Sequence, residues 1–130
     1  MLENDPEVLE AFAEESAQRL NDLERGLLEM ERTATPAADL LNAMFRDAHS
    51  MKAGANLLGL RHVERAAHKL ENVLDQLRAG RIASTPEVCQ VLLDGVDLLR
   101  EILAAPGAAA TDGSSVESDS RLAALSGLLA

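Results

Sequence analysis

A histidine and a lysine stand three residues apart within a helical pattern of apolar residues. His49 and Lys52 therefore occupy neighbouring positions on one helix face, because an α-helix turns about 100° per residue. A neutral imidazole is a nucleophile, and an ammonium group stabilises an anion that comes close to it. The spacing predicts a surface that brings a nucleophile and a cation together. For His49 taken alone, a solvated surface histidine is the alternative.

A second row of polar residues follows in the next helical segment, at spacings of four, three and four. It consists of Glu64, His68, Glu71 and Asp75. If the two helices are antiparallel neighbours, this row faces His49, and we expect the Glu71 carboxylate to accept a hydrogen bond from one ring nitrogen. A nearby carboxylate also stabilises the protonated ring, which is not nucleophilic. The prediction for Glu71 is therefore orientation of the ring rather than its activation.

The elements that must position these residues are four amphipathic helices. Helix starts are predicted at Asp5-Pro6, Thr35-Pro36 and Thr85-Pro86, where a capping residue precedes a proline at the first helical position. Gly59 and Gly80 are predicted to end the second and third helices. The connections are short, so the sequence predicts an all-α fold, an antiparallel four-helix bundle. The predicted helices cover roughly residues 6–30, 36–58, 62–79 and 86–102.

Composition agrees with a single helical domain whose core is aliphatic. The 130 residues include two Phe, no Trp and no Tyr, and the residue types that favour strands are scarce. The second helix is predicted to bury a stripe of apolar residues at spacings of three and four. Cys89 is predicted to be a buried thiol, because a single cysteine makes neither a disulfide nor a cysteine-based zinc site. The stripe consists of Leu41, Met44, Ala48, Met51, Ala55 and Leu58.

The predicted domain organisation is a bundle over residues 1–105, a flexible linker over 106–120 and a short fifth helix over 121–130 that docks on the bundle. No segment reads as a membrane span or a signal peptide, so the sequence predicts a cytoplasmic protein. The net charge of −10 argues against nucleic acid and anionic membranes and favours protein partners. The amphipathic pattern of the fifth segment stops abruptly, which predicts a fragment of a longer protein.

Two motifs together resemble the histidine-containing phosphotransfer domains, and in particular the N-terminal phosphotransfer domain of chemotaxis-type sensor kinases. The first is Phe45-Arg46-Asp47-Ala48-His49-Ser50-Met51-Lys52, and the second is His68-Lys69-Leu70-Glu71-Asn72 followed by Gly80. The resemblance extends over nearly the whole chain. It departs from the family at Ala53, because the family usually has glycine directly after the lysine.

The resemblance implies that His49 takes the γ-phosphoryl group of ATP and passes it to an aspartate of a response-regulator receiver domain. It implies that Lys52 is the cation near the phosphoryl group and that His68 and Glu71 orient the histidine. The small residues after the lysine, with Asn56, are expected to let a partner dock; these are Ala53, Gly54 and Asn56. No glycine-rich phosphate loop appears in the sequence, so ATP and Mg²⁺ are expected on a separate histidine kinase catalytic domain. Whether such a phosphocarrier counts as an enzyme stays open.

Several alternatives remain open at this point. His68 is as well explained by plain packing as by orientation of the ring, and Lys52 is also a candidate for a solvated partner of Asp47 or Asn56. A metal-binding bundle would use His49, His68, Glu71 and His62. It is disfavoured because the order on the third helix is His-x-x-Glu, and because Lys52 would place a positive charge beside the metal. A helical interaction bundle with no chemistry is the third possibility.

Overall fold

The computed structural model describes residues 5–33, 35–104 and 119–130, and these residues form five α-helices and no strand. The helices are α1 (Pro6–Glu31), α2 (Ala38–Leu58), α3 (Arg61–Arg78), α4 (Pro86–Ala104) and α5 (Ser120–Leu128). The first four pack in a ring, with α1 on α2, α2 on α3, α3 on α4 and α4 on α1. Short connections make consecutive helices antiparallel, so the predicted all-α four-helix bundle is confirmed.

Two of the three predicted helix starts are confirmed. The Asp5 side chain accepts a hydrogen bond from the backbone N–H of Glu7 at 2.9 Å, and Pro6 is the first residue of α1. At α4, the Thr85 hydroxyl accepts a hydrogen bond from the backbone N–H of Val88 at 3.2 Å. Both caps satisfy an amide that has no partner inside its helix.

The predicted start of α2 at Thr35-Pro36 is wrong by two residues, because α2 begins at Ala38 and its capping residue is Ala37. The Thr35 amide donates to the Thr33 hydroxyl at 3.3 Å, which uses the local hydrogen bonds for a turn before the helix. Ala37 is still extended, with ψ of 143°, and makes no side-chain cap. Local bonding between two threonines therefore competes with the capping pattern that the sequence suggested.

A glycine turn joins α2 to α3 within two residues. Gly59 has φ 72° and ψ 22°, a left-handed conformation that glycine adopts without a steric penalty. The backbone N–H of Leu60 donates to the carbonyl of Ala55 at 2.9 Å, which caps the end of α2. Because only Gly59 and Leu60 lie between the two helices, the turn fixes which residues of α2 face which residues of α3.

The core is aliphatic and is supplied by all five helices. The six residues of the predicted α2 stripe are all buried, and so is Cys89, whose thiol has a pKa that burial raises. Among the described helices, none combines the length and the apolar character that crossing a membrane requires. The buried residues of α3 are His62, Val63, Ala66, Ala67, Leu70, Glu71, Val73, Leu74 and Leu77.

The fifth helix packs on α3 and α4 and begins at Ser120, one residue before its predicted start. Asp119 caps it by accepting from the backbone N–H of Arg121 at 2.8 Å. Leu122 and Leu125 of α5 are buried, the latter beside Gly95, where a Cβ would come within 3.1 Å of the Leu125 side chain. Residues 105–118, which include most of the predicted linker, lie outside the described residues.

Candidate functional site

The α2 helix presents His49 and Lys52 at the edge of its buried stripe. Ala48 and Met51 point into the core, so the helical rotation carries the side chains of His49 and Lys52 to the outside. The His49 side chain is 55% exposed, and that of Lys52 is 27% exposed. A reactant approaching from solvent can therefore reach the imidazole without any movement of the bundle.

Glu71 of α3 brings these two residues together. The residue is 5% exposed, and one carboxylate oxygen, Oε2, is hydrogen-bonded to Nδ1 of His49. The other oxygen, Oε1, accepts from Nζ of Lys52 at 2.7 Å. The hydrogen bond expected between Glu71 and one nitrogen of His49 is therefore present, and the same carboxylate also binds Lys52, which the sequence did not predict.

The charge on Glu71 is stabilised by these two partners. Burial acts to raise the pKa of the Glu71 carboxyl, but the hydrogen bonds from Lys52 and His49 outweigh burial, and the pKa lies below its usual range. The carboxylate is therefore ionised at neutral pH and can only accept hydrogen bonds. Nδ1 of His49 is then the nitrogen that carries the proton, and in the neutral ring Nε2 holds the lone pair.

Phe45 lies one helical turn before His49 and stacks on its imidazole. The two ring centroids are 6.0 Å apart, and the ring planes differ by 16°. The guanidinium carbon of Arg78 lies 3.8 Å from the Phe45 centroid, and Nη2 of Arg78 donates to Asp75 at 2.8 Å. No role is predicted for Phe45 or Arg78 from the sequence. The spacing of four residues between Phe45 and His49 is the signal that would have placed the two rings together.

The structure places His68 one turn away from Glu71, on the exposed surface of α3. His68 lines an open depression with Asn56, Glu64 and Lys69. Within the described part of the chain, no hydrogen bond joins His68 to His49 or Glu71. Asn56 donates through Nδ2 to Oε2 of Glu64 at 2.7 Å, so the predicted docking residue Asn56 pairs with the first residue of the polar row.

The small residues after Lys52 differ in their surroundings. Ala53 is exposed on the same face as His49. Gly54 faces α1 instead, because a Cβ built on it would lie 2.6 Å from the ring of Phe12. The absence of a side chain at Gly54 is therefore required for the packing of α1 on α2. Ala53 alone of the two is placed to meet a partner from solvent.

The structure gives the alternative of a metal centre no support. Across residues 5–33, 35–104 and 119–130, no three His, Cys, Asp or Glu side chains are grouped so that they could hold a metal ion. The carboxylate that would be the best ligand, Glu71, is already bonded to the ammonium group of Lys52. A cation beside that ammonium group would be repelled.

Comparison with known proteins identifies the class to which this fold and this site belong. The family model described as the Hpt domain matches residues 7–102. The chain is 34% identical over 97 residues to the sensor histidine kinase CheAY of Helicobacter pylori, an alignment that covers 75% of this chain and 12% of that protein. It is 34% identical over 94 residues to the chemotaxis protein CheA of Salmonella typhimurium, covering 72% and 14%.

A solved structure agrees with these relatives. The phosphorylated P1 domain of CheA3, in complex with CheY6 from R. sphaeroides, superposes with a TM-score of 0.79 at 28% identity, and the match covers 95% of this chain and 96% of that one. The chain belongs to the Hpt domain family and is a histidine phosphotransfer domain similar to the P1 domains of CheA proteins. It spans about an eighth of the length of the curated relatives named above.

Proposed function

We propose that His49 is the residue of this domain that carries the phosphoryl group, between a kinase catalytic domain and a response-regulator receiver domain. The observation that carries the proposal is the Glu71 carboxylate, which binds Nδ1 of His49 and Nζ of Lys52 at once. The exposed imidazole is thereby held with Nε2 available to a reactant. The relative whose structure matches is a phosphorylated P1 domain bound to CheY6, which supports a receiver domain as one partner.

The first reaction is nucleophilic attack by the lone pair of Nε2 on the γ-phosphorus of ATP. A P–N bond forms, the bond from the γ-phosphorus to the bridging oxygen breaks, and ADP leaves with that electron pair. The ring becomes a phosphorylated imidazolium that retains its proton on Nδ1, and the Glu71 carboxylate stabilises the new positive charge. Lys52 lies close enough to Glu71 to place its charge beside the phosphoryl oxygens.

The second reaction reverses the change at the ring. An aspartate carboxylate of the receiver domain attacks the phosphorus, a P–O bond forms, and the P–N bond breaks to return a neutral imidazole. Loss of the positive charge makes the imidazole a good leaving group, so the domain needs no further group of its own for this step. We place ATP and Mg²⁺ on the kinase catalytic domain and assign no cofactor to this chain. Because the donor is ATP, the proposal also places the domain in the cytoplasm.

The proposal further assigns supporting roles around His49. Glu71 orients the ring, Lys52 stabilises the charge of the phosphoryl group, and Ala53 with Asn56 borders the surface that a partner approaches. His68 is assigned only to the rim of this surface, because its exposed position one turn from Glu71 keeps it within reach of a docked partner.

The test is labelling of the purified chain and of His49→Gln with a chemotaxis-type kinase catalytic domain and radiolabelled ATP. The wild-type chain is expected to take up an acid-labile phosphate on Nε2, and His49→Gln is expected to take up none while keeping its helical circular dichroism spectrum. His68→Gln is the matched control and should be labelled. Labelling of His49→Gln at the wild-type rate would disprove the assignment. A wild-type chain that is never labelled would favour an interaction bundle without chemistry.

A further inference from the structure

A layered stack of side chains joins α2 and α3 beside the reactive ring. Its layers are the imidazole of His49, the ring of Phe45 and the guanidinium group of Arg78. Phe45 is half-buried and touches both other layers, and Asp75 holds the outermost layer through a hydrogen bond of 2.8 Å. The stack lies on the opposite side of His49, along the chain, from Lys52.

We propose that Phe45 and Arg78 are positioning residues that fix the plane of the His49 imidazole and so the direction in which Nε2 points. This inference rests on the proposed function of His49. The hydrogen bond from His49 to Glu71 fixes one atom of the ring. The proposed role of Phe45 and Arg78 is to fix the tilt of the ring, which that bond leaves free.

A single hydrogen bond does not define the orientation of an exposed ring. The bond from Nδ1 to Glu71 fixes one ring atom, but the ring can still tilt about that contact. More than half of the His49 side chain is exposed, so close packing does not supply the missing restraint. The Phe45 ring supplies it, because its plane is within 16° of the imidazole plane. Transfer of a phosphoryl group depends chiefly on such alignment.

Arg78 in turn restrains Phe45. A guanidinium group 3.8 Å from the ring centroid is at a favourable distance for a cation–π interaction, and it covers one face of the Phe45 ring. Asp75 lies three residues before Arg78 on α3 and orients the guanidinium group. The orientation of the reactive ring on α2 thus depends on two residues in the last turns of α3.

The alternative is that Phe45 only adds apolar area to the edge of the core. Packing alone would make the unfolding free energy sensitive to Phe45 but would leave the His49 ring unaffected in the folded protein. The two explanations therefore differ in measurements made on folded protein, and in which substitutions restore the behaviour of the wild type.

The experiment compares five variants of the full chain: Phe45→Leu, Phe45→Tyr, Arg78→Gln, Arg78→Lys and Arg81→Gln. Arg81 is an exposed arginine just beyond α3, so Arg81→Gln removes the same charge without touching the stack. Two quantities are measured on folded protein. One is the rate constant of labelling by the kinase catalytic domain at saturating chain; the other is the set of NMR scalar couplings of the His49 side chain, which reports its rotamers without any kinase.

We expect Phe45→Leu to lower the rate constant about 3- to 10-fold, the range that an aromatic pair of this kind supports, and to average the His49 couplings. Phe45→Tyr keeps the stack and should behave as the wild type. Arg78→Gln should lower the rate about 2- to 4-fold, with Arg78→Lys between it and the wild type because lysine stacks less well. Arg81→Gln should change neither quantity.

Unchanged couplings and an unchanged rate in Phe45→Leu would overturn the inference, and so would equal effects of Arg78→Gln and Arg81→Gln. This result is separate from failure of the proposed function. If the wild-type chain were not labelled at His49 at all, the proposed function would fail, while the couplings of Phe45→Leu would still show whether Phe45 orients the ring.

Discussion

Two faces of this bundle each contain a charged side chain that is bonded to two partners, and the two differ in which member is buried. On the α2–α3 face the shared group is the buried Glu71, and its partners His49 and Lys52 reach solvent. On the α4–α5 face the shared group is Arg121, which binds Glu101 and Asp119 at the surface. The role of a charge network therefore depends on whether its shared group is buried or near the surface.

At the surface network the ion pairs contribute little to stability. Exposed pairs are screened by water, and the burial of Leu122 and Leu125 accounts for the docking of α5. At the buried network the carboxylate has no water to replace a lost partner, so His49 and Lys52 are held in a defined arrangement. The comparison indicates that a buried anion with solvent-accessible partners is an arrangement suited to chemistry, whereas a part-exposed arginine that binds two carboxylates only reinforces packing.

The largest effect on reactivity short of replacing His49 is expected from Glu71→Gln. The amide keeps the shape of the side chain but loses the charge that binds both partners, so the rate constant of labelling should fall about 10- to 100-fold. The rate is measured with a saturating kinase catalytic domain, and native circular dichroism serves as the control for folding. A rate equal to that of the wild type would show that the carboxylate does not act through the ring.

The stability of Glu71→Gln relative to the wild type is expected to depend on pH. The pKa of Glu71 in the folded protein lies below its ordinary value, so the ionised carboxylate contributes stability above roughly pH 5, and this contribution is lost as the pH falls through the folded pKa. The difference in unfolding free energy between wild type and Glu71→Gln should therefore shrink as the pH falls below about 5. Urea titrations at several pH values measure it, and a difference that grows on acidification would contradict the assignment.

Leu125→Ala, on the α4–α5 face, is expected to lower stability while leaving the labelling of His49 nearly unchanged. The side chain is fully buried, and its removal should destabilise the fold by about 2–4 kcal/mol. At low temperature, where the variant remains folded, labelling of His49 should stay within about twofold of the wild type, since α5 packs mainly on α3 and α4. A proportional loss of labelling in folded protein would show that the two faces are coupled.

The smallest effects on reactivity are expected at Ala53 and Gly54. Gly54→Ala should cost about 1–3 kcal/mol of stability, because the added Cβ would lie 2.6 Å from the Phe12 ring. Ala53→Gly should raise labelling and transfer less than twofold, because the methyl group it removes is exposed. A large gain in transfer from Ala53→Gly would show that the methyl group obstructs a partner.

The sequence predicted the periodic parts of this molecule well. The stripe of α2 and the opposition of His49 to Glu71 follow from a regular rotation of 100° per residue, which the spacing of residue types reveals directly. It failed at the start of α2, where hydrogen bonds between Thr33 and Thr35 replace a cap. A turn closed by hydrogen bonds between side chain and backbone and a helix cap are close in free energy, so the spacing of residue types does not decide which of them forms.

The site was predicted only in part, because its contacts depend on how two helices are placed relative to each other. The bond from Lys52 to Glu71 and the position of Arg78 over Phe45 depend on how far α3 is displaced along α2, and the sequence of either helix alone does not contain that displacement. Gly54 was predicted to serve a partner because small residues permit close approach. The approach in the structure is that of Phe12 on α1, a contact between residues 42 positions apart in the chain.

The two-residue turn at Gly59 and Leu60 has a consequence for how this domain can change in length. One residue inserted there would rotate all of α3 by about 100° about its own axis. The rotation would carry Glu71 away from His49, and it would also turn Leu70 and Leu74 out of the core. An insertion or deletion that the fold survives is therefore one that leaves the reactive pair aligned, and length variation is confined to connections outside the α2–α3 hairpin.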